Sequence, residues 1–450
     1  MVARSEETPT VPSGGESVET KLLRIAEKAR KEPGFKFTSL YHLMDEELLR
    51  GCFKRMRKDA AAGIDDVTKE TYAENLDDNL ADLIGRLHRM AYRPQPVRRK
   101  YIPKPGSTKQ RPLGIPCFED KLVQAGLVRI LEAVYEQDFI DDSYGSRPGR
   151  SCHQALRALS EAVEGKVVNH IVEADIKGFF DNVKQDTLLR FVAHRIADTR
   201  VQRMVVRFLK AGVFEDGSVT ASKEGTPQGG VISPLLANIY LHYTLDLWFE
   251  KVFRKSCTGY VRLVRYVNDF VACFQYKTDA RRFRAALEER LAKFGLEVEP
   301  TKTRVIEFGR YAEQNAAAKG ARAATFDFLG FTHYCGKSRD GQGFRMKRAT
   351  SRKKYTAKLH AFKDWLKKAR IFKTKDLWET TKAKLRGHYE YYGVTDNYRR
   401  IKMFFEEVKR LLHKWLNRRG KSGCLNWERF LQWQKWYPLP RPRITVHMFP

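Results

Sequence analysis

No apolar run in the chain approaches the roughly 20 residues that a helix needs to cross a bilayer, and the first residues lack the apolar core of a secretory signal. Those two absences exclude a helix-spanning membrane protein and set the expectation of a soluble protein in the cytoplasm. Cysteine is scarce: the seven are Cys52, Cys117, Cys152, Cys257, Cys273, Cys335 and Cys424, odd in number and never two residues apart in a CxxC pair. That spacing argues against a zinc ribbon or a disulfide framework and fits a reducing compartment. Acidic charge is also short, 54 Asp and Glu against 84 Lys and Arg, for a formal net charge of +30. A chain so basic repels itself unless its partner is a polyanion, and nucleic acid is the partner this balance points to.

What is present is ample apolar material, 42% over 450 residues, enough for roughly two to four folded domains. The charge is uneven. From Arg345 onward 29 basic residues face 8 acidic ones, a surplus of 21 in the last 106 positions. Residues 1–19 carry Pro, Ser, Gly, Thr and Glu with little to pack, which predicts a flexible leader; Glu6, Glu7, Glu16 and Glu19 disfavour a transit peptide. Helical spacing follows from Lys21 to Met56. The stretch Lys100 to Pro116 then reads as a hairpin bearing Lys100, Lys104, Lys109 and Arg111, a shape that suits a triphosphate and equally suits a solvated edge. A core helix is predicted over Lys121 to Tyr135, and Arg147 and Arg150 lie in a Gly/Pro loop where they could touch a nucleic-acid backbone.

Three segments carry chemistry. In VVNHIVEADIKGFFDNV, Val167 to Ile171 favour a strand and Asp175 falls near its end, where a carboxylate can hold a divalent cation or merely close a turn. In GTPQGGVISPLLANIY, glycines around Pro227 and Gln228 allow close backbone approach, and Ser233-Pro234 opens a helix. In LVRYVNDFVACF, two β-rich runs, Val261 to Val267 and Phe270 to Phe274, flank Asn268-Asp269, predicting a hairpin with both residues at its tip. Strands are further predicted at Leu296 to Val298, Thr303 to Phe308 and Phe326 to His333, and an amphipathic helix over residues 280–294. Beyond Arg345 the helical spacing of Leu359, Phe362, Leu366 and Ala369, then Ile401, Phe404, Val408, Leu412 and Trp415, predicts an all-helical domain holding six of the seven tryptophans.

In this order the blocks RPLGIP, ADIKGFFDN, GTPQGGVISPLLANIYL, RYVNDFV, and EPTKT followed by FLGF resemble the reverse transcriptases encoded within bacterial group II introns, the intron maturases. The resemblance implies an α+β chain with the right-hand polymerase fold: a leader at 1–20, N-terminal extension and fingers at 21–165, palm at 166–344, helical thumb or X domain at 345–416, and a short basic nucleic-acid-binding segment at 417–450. Carried over by position, Asp175 matches the first metal-binding aspartate, with Ile176 beside it as a further metal contact, and Phe180 the aromatic gate against the incoming sugar. Gln228 matches the glutamine beside the nascent pair, Lys109 and Arg111 the triphosphate contacts, and Lys302 the lysine of the following motif. Arg352, Lys353, Lys354, Arg418 and Arg419 are implied nucleic-acid contacts. The implied cofactor is a pair of Mg2+ ions, replaceable by Mn2+, between primer hydroxyl and phosphates.

The chain departs from the family's Tyr-Ala-Asp-Asp in having Tyr266-Val267-Asn268-Asp269. Asn268 keeps the shape of a ligand aspartate and one neutral oxygen but removes a negative charge beside two dications, which predicts weak or absent polymerisation. Whether Asn268 is native stays open. The implied partners are group II intron RNA, an RNA template with a DNA primer, dNTP and target DNA; no paired Cys and His residues suggest an endonuclease, so target cleavage is not expected. Two other readings stand beside the intron reverse transcriptase and maturase: a non-catalytic RNA-binding splicing factor, and a relative recruited to host defence or repair.

Overall fold

The computed structural model describes residues 16–103, 110–165, 167–220, 224–226, 229–338, 341, 343–369, 371–419 and 425–448. Residues 1–15 of the expected leader, Lys104, Lys109 and Gln228 fall outside them, whereas residues 18–20 are not leader but the start of the helix Val18–Lys31, capped by Ser17. The chain is mixed helix and sheet, α+β, and divides into two compact bodies.

The first body comprises residues 1–100, 113–139 and 184–240. Its centre is the helix Phe118–Tyr135, buried almost all round through Leu122, Val123, Leu127, Ile130, Leu131 and Val134; such a helix belongs in a core rather than on a surface. Asp198 ties the surrounding pieces together. One carboxylate oxygen caps the helix Thr199–Leu209 by accepting from the Arg200 and Val201 amides, and the other accepts from Leu40 and Tyr41 at 2.7 and 2.8 Å. The strands of the expected hairpin are present as Val97–Pro103 and Gln110–Ile115, in a sheet continued by Val213–Glu215 and Ser218–Thr220. Close backbone approach in the Gly-rich loop is real: a side chain on Gly229, whose φ is +117°, would meet the Gly114 carbonyl oxygen at 2.5 Å.

The second body holds a four-stranded antiparallel sheet in the order Val261–Tyr266, Asp269–Phe274, His170–Asp175, Arg304–Glu307. Packed on it are the helices Cys152–Gly165 and Lys277–Ala292, the latter through Phe283, Leu287 and Leu291 as its spacing predicts. The central strand begins three residues later than Val167 and ends on Asp175. Leu296 to Val298 form no strand; only an isolated bridge joins Val298 to Ile176. The expected single strand at Phe326 to His333 is two, Phe326–Phe328 and Phe331–Lys337, because Leu329 and Gly330 both have positive φ, +50° and +80°, and turn the chain back on itself. Phe344–Thr350 is the third strand of that sheet, so helix starts at Arg352 rather than at Arg345.

Four helices follow, Arg352–Ala369, Thr374–Tyr392, Tyr398–Asn417 and Trp427–Trp436. Phe362, Leu366, Ile401, Phe404, Val408, Leu412 and Trp415 are buried in one core with Trp378 and Phe430, as the periodicity predicts. Trp436 is 81% exposed, so the tryptophans do not all serve that core. Among the described residues no helix is long and apolar enough to cross a membrane.

Candidate active site

The sheet of the second body brings four of the singled-out residues to one edge. Asp175 is the last residue of its strand, and its direct partner across the antiparallel ladder is Asp269, the first residue of the neighbouring strand. Directly opposed residues point to the same face, so two carboxyl groups share one spot. The hairpin register, Tyr266 opposite Asp269, leaves Val267 and Asn268 as its two-residue turn. The tip is therefore Val267-Asn268 rather than Asn268-Asp269. Lys302 arrives from the turn after Glu299, and its ammonium pairs with Asp175 Oδ2.

This cluster is electrostatically stressed. Burial pushes the Asp269 carboxyl up to about 7, and the Asp175 and Glu173 carboxylates push the same way. The Leu329 amide and the Lys302 ammonium act against them. The Leu329 amide is available because the Leu329-Gly330 turn presents it, and that turn is held from the helix Thr374–Tyr392, whose Tyr391 hydroxyl donates to the Leu329 carbonyl at 3.0 Å. Glu173, two residues before Asp175 on the same face, is paired with Arg304 at 2.6 Å and accepts from the Asp327 amide. Sequence reasoning passed over Glu173 and Leu329. The period of two along HIVEAD marks Glu173 as facing with Asp175, whereas nothing local in FLGF signals that an amide will point at a carboxylate two segments away.

Phe180 follows on a short helix, Phe179–Asn182, opened by Gly178 at φ +54°. Its ring is half-buried and stands edge-on to the buried Phe179 at 5.3 Å between centroids. Ile176 is buried and bridged to Val298. Arg111 is exposed on its strand.

The basic residues divide. Arg352 and Lys353 line a cavity of about 680 Å³ together with Arg304, Asp327 and His360, and Lys354 is exposed beside them. Arg150 is partly exposed, paired with Asp141 at 2.8 Å and lying over the Tyr144 ring. Arg418 is exposed over the Trp415 ring. Arg147 is a correction: it is only 8% exposed, and its guanidinium donates to the Ile140 and Ser143 carbonyls, both at 2.7 Å, so it braces its own loop. Arg419 is partly exposed and donates to the Ala369 carbonyl at 3.0 Å, at the end of the helix Arg352–Ala369.

Among the described residues no cluster of three or more His, Cys, Asp or Glu forms a metal centre by itself. The donor set at this end of the sheet still suits a hard dication: two opposed carboxyls, one pushed up to about 7 by burial and by its acidic neighbours, beside an amide side chain in the turn.

Opposed aspartates at a hairpin of an antiparallel sheet, in a chain this basic, are consistent with a nucleic-acid polymerase. Residues 102–333, more than half of the chain, match the family model for reverse transcriptase (RNA-dependent DNA polymerase), and the chain belongs to that family. It is similar to the group II intron-encoded protein LtrA of Lactococcus lactis subsp. cremoris, 40% identical over 222 residues, which are 49% of this chain and 37% of that protein. It is also similar to protein YkfC of Escherichia coli, 40% identical over 184 residues, 40% of this chain and 48% of the relative. Nuclear intron maturase 2, mitochondrial, of Arabidopsis thaliana is 27% identical over 173 residues, 30% of this chain and 23% of the relative. The matched stretches thus span less than half the length of these relatives.

Proposed function

We propose that the chain is the RNA-directed DNA polymerase and maturase of a group II intron, which binds the intron RNA to promote splicing and copies it into DNA. The observation that carries this reading is the Asp175–Asp269 couple at the hairpin edge, within a reverse transcriptase family match. In it the first body and the sheet form fingers and palm, and the helices after Arg352 form the thumb or X domain. Asp175, Asp269 and the Asn268 oxygen would hold two Mg2+ ions, or Mn2+ in their place, with the Ile176 backbone alongside. Bound there, the metals would activate the primer 3′-hydroxyl and offset the charge of the triphosphate. The protein's own residues have separate tasks: Lys302 offsets the charge of Asp175, Phe180 limits the space at the sugar, and Arg111 with Lys109 and Gln228 contacts the incoming dNTP and the nascent pair. Exposed Arg352, Lys353, Lys354 and Arg418, with the partly exposed Arg150, offer phosphate contacts to template, primer, intron RNA or target DNA.

Asn268 favours a second reading, a splicing factor that binds RNA on the same scaffold without polymerising. A family member serving host defence or repair is the third. Primer extension on an RNA template, in Mg2+ and in Mn2+, separates them when run on the chain, on Asn268→Asp and on Asp175→Ala. cDNA synthesis that appears with Asn268→Asp and vanishes with Asp175→Ala supports the polymerase. Silence in every variant, with tight intron-RNA binding, replaces it with the splicing factor.

A further inference from the structure

The turn that carries Asn268 is strained. Val267 sits at φ +55°, a region that suits glycine and penalises a β-branched side chain, and such outliers survive only where their surroundings over-determine them. The surroundings here are specific. Arg265, fully buried two residues earlier, donates through Nη1 to the Val267 carbonyl at 3.0 Å. The rest of its guanidinium is fixed: Nε and Nη2 form a two-pronged pair with Asp246 at 2.7 and 2.5 Å, and Nη2 also donates to Ser143 Oγ at 2.8 Å. Asp246 and Ser143 are themselves fully buried.

Each partner of Arg265 is anchored by an unusual backbone feature. Asp246 closes a π-helical turn, His242–Asp246, a widening that is rare and concentrates at functional positions. Ser143 lies on a segment bridged to the Arg265 strand, with the Tyr144 amide donating to the Arg265 carbonyl at 2.9 Å. The next residue, Gly145, lies so close to the turn that a Cβ there would sit 2.5 Å from the Val267 nitrogen. The turn is thus held from inside by a guanidinium and from outside by a glycine contact.

We propose that Arg265 is a positioning residue, which uses the buried Arg265–Asp246 pair to hold the Val267 carbonyl and so fixes the turn that presents residue 268 and Asp269 to a divalent cation. A buried pair of this kind adds little net stability compared with well-packed apolar residues, so its value lies in specifying one geometry. Lysine at 265 would keep the charge but lose the fork that reaches Asp246, Ser143 and Val267 at once.

The inference rests on reading the Asp175–Asp269 couple as a metal centre, and Mn2+ binding, followed by the electron paramagnetic resonance of free Mn2+, tests both. Full-length Asn268→Asp serves as the parent, with Asp175→Ala subtracted for other sites. Arg265→Lys is expected to weaken binding about tenfold, the scale of a backbone strain released at the site. Gly145→Ala, which displaces the turn without touching the ion pair, is expected to do the same. Adding Val267→Gly to Arg265→Lys should recover most of the loss, because glycine takes the turn conformation without a clamp. A role in folding alone would lower the melting temperature and leave the Mn2+ affinity of folded protein unmoved. Should Arg265→Lys not fold, Gly145→Ala decides. Folded variants that bind Mn2+ like the parent overturn the positioning role; a parent that binds no Mn2+ overturns the metal centre and the inference with it.

Discussion

Asp175 and Asp269 are direct partners across two antiparallel strands, whereas Asn268, one residue before Asp269, lies in the turn and pairs with nothing in the ladder. The two aspartates are fixed by the sheet; residue 268 is fixed only by its turn. Burial above all, with the Asp175 and Glu173 carboxylates beside it, pushes the Asp269 carboxyl up to about 7, while Lys302, paired with Asp175, acts against them. A carboxylate at 268 would add to the repulsion among these acidic groups, which a bound cation would relieve. On the proposed reading, asparagine would spare the site that repulsion and hold metal less well.

Primer extension by the chain in Mg2+ is accordingly expected at or near background, and Asn268→Asp is expected to raise it on the order of 100-fold or more, the scale on which metal-site substitutions change activity. The same substitution should lower the melting temperature without metal and restore it with Mn2+. Strong synthesis by the unaltered chain would mean that Asp175 and Asp269 suffice.

The salt dependence of RNA binding separates braces from contacts. Arg147 donates to two carbonyls of its own loop, so Arg147→Ala should cost about 2–3 kcal/mol in urea unfolding. The slope of log K against log salt should not change. Arg352→Ala and Lys353→Ala, at an open basic cavity, should leave unfolding nearly unmoved and flatten that slope by about 0.7–1 each. A flattened slope from Arg147→Ala would return it to the nucleic-acid surface.

The contrast between these arginines marks where the sequence stops being readable. Asp175 and Asp269 each read alone as ordinary turn residues and drew their expected role from the resemblance of their blocks. The core helix expected over Lys121 to Tyr135 begins three residues earlier at Phe118 and was legible from helical spacing, a local signal. So was the apolar face of Tyr398–Asn417. Arg147 was not, because whether an arginine reaches solvent or a carbonyl depends on which loop folds over it. Arg265 looks like any other strand arginine in RLVRY; its burial follows from a π-helical turn and a loop serine 122 residues away. The break at Leu329-Gly330 was also hidden, since an apolar residue with positive φ gives no compositional warning.

Asp120 gives the first body a dependence on pH. Its carboxyl accepts from the Tyr92 hydroxyl and the Gln95 amide, yet burial dominates and pushes it up to about 7 from 3.8. The folded state thus favours the proton. The stability this group contributes is full below about 4 and is lost as pH rises through about 7. Asp120→Asn cannot ionise. Relative to that variant, the parent should lose on the order of 2 kcal/mol between pH 5 and pH 8, measured by urea unfolding at both. A constant difference across that range would place the carboxyl on the ordinary side of the titration.

Phe180 tests the nucleotide site independently of the metals. Its short helix opens at Gly178 in the left-handed region, and its half-buried ring stands edge-on to the buried Phe179. If that ring limits the space at the sugar, Phe180→Val in the Asn268→Asp chain should admit ribonucleotides, with incorporation relative to deoxynucleotides rising on the order of 10–100-fold, as expected when a steric wall of a few carbons is removed. Incorporation of the deoxynucleotide should fall far less, because no contact to the 3′-hydroxyl or the phosphates is lost. Equal losses for both sugars would instead mean that Phe180 supports the short helix after Asp175 and takes no part in choosing between them.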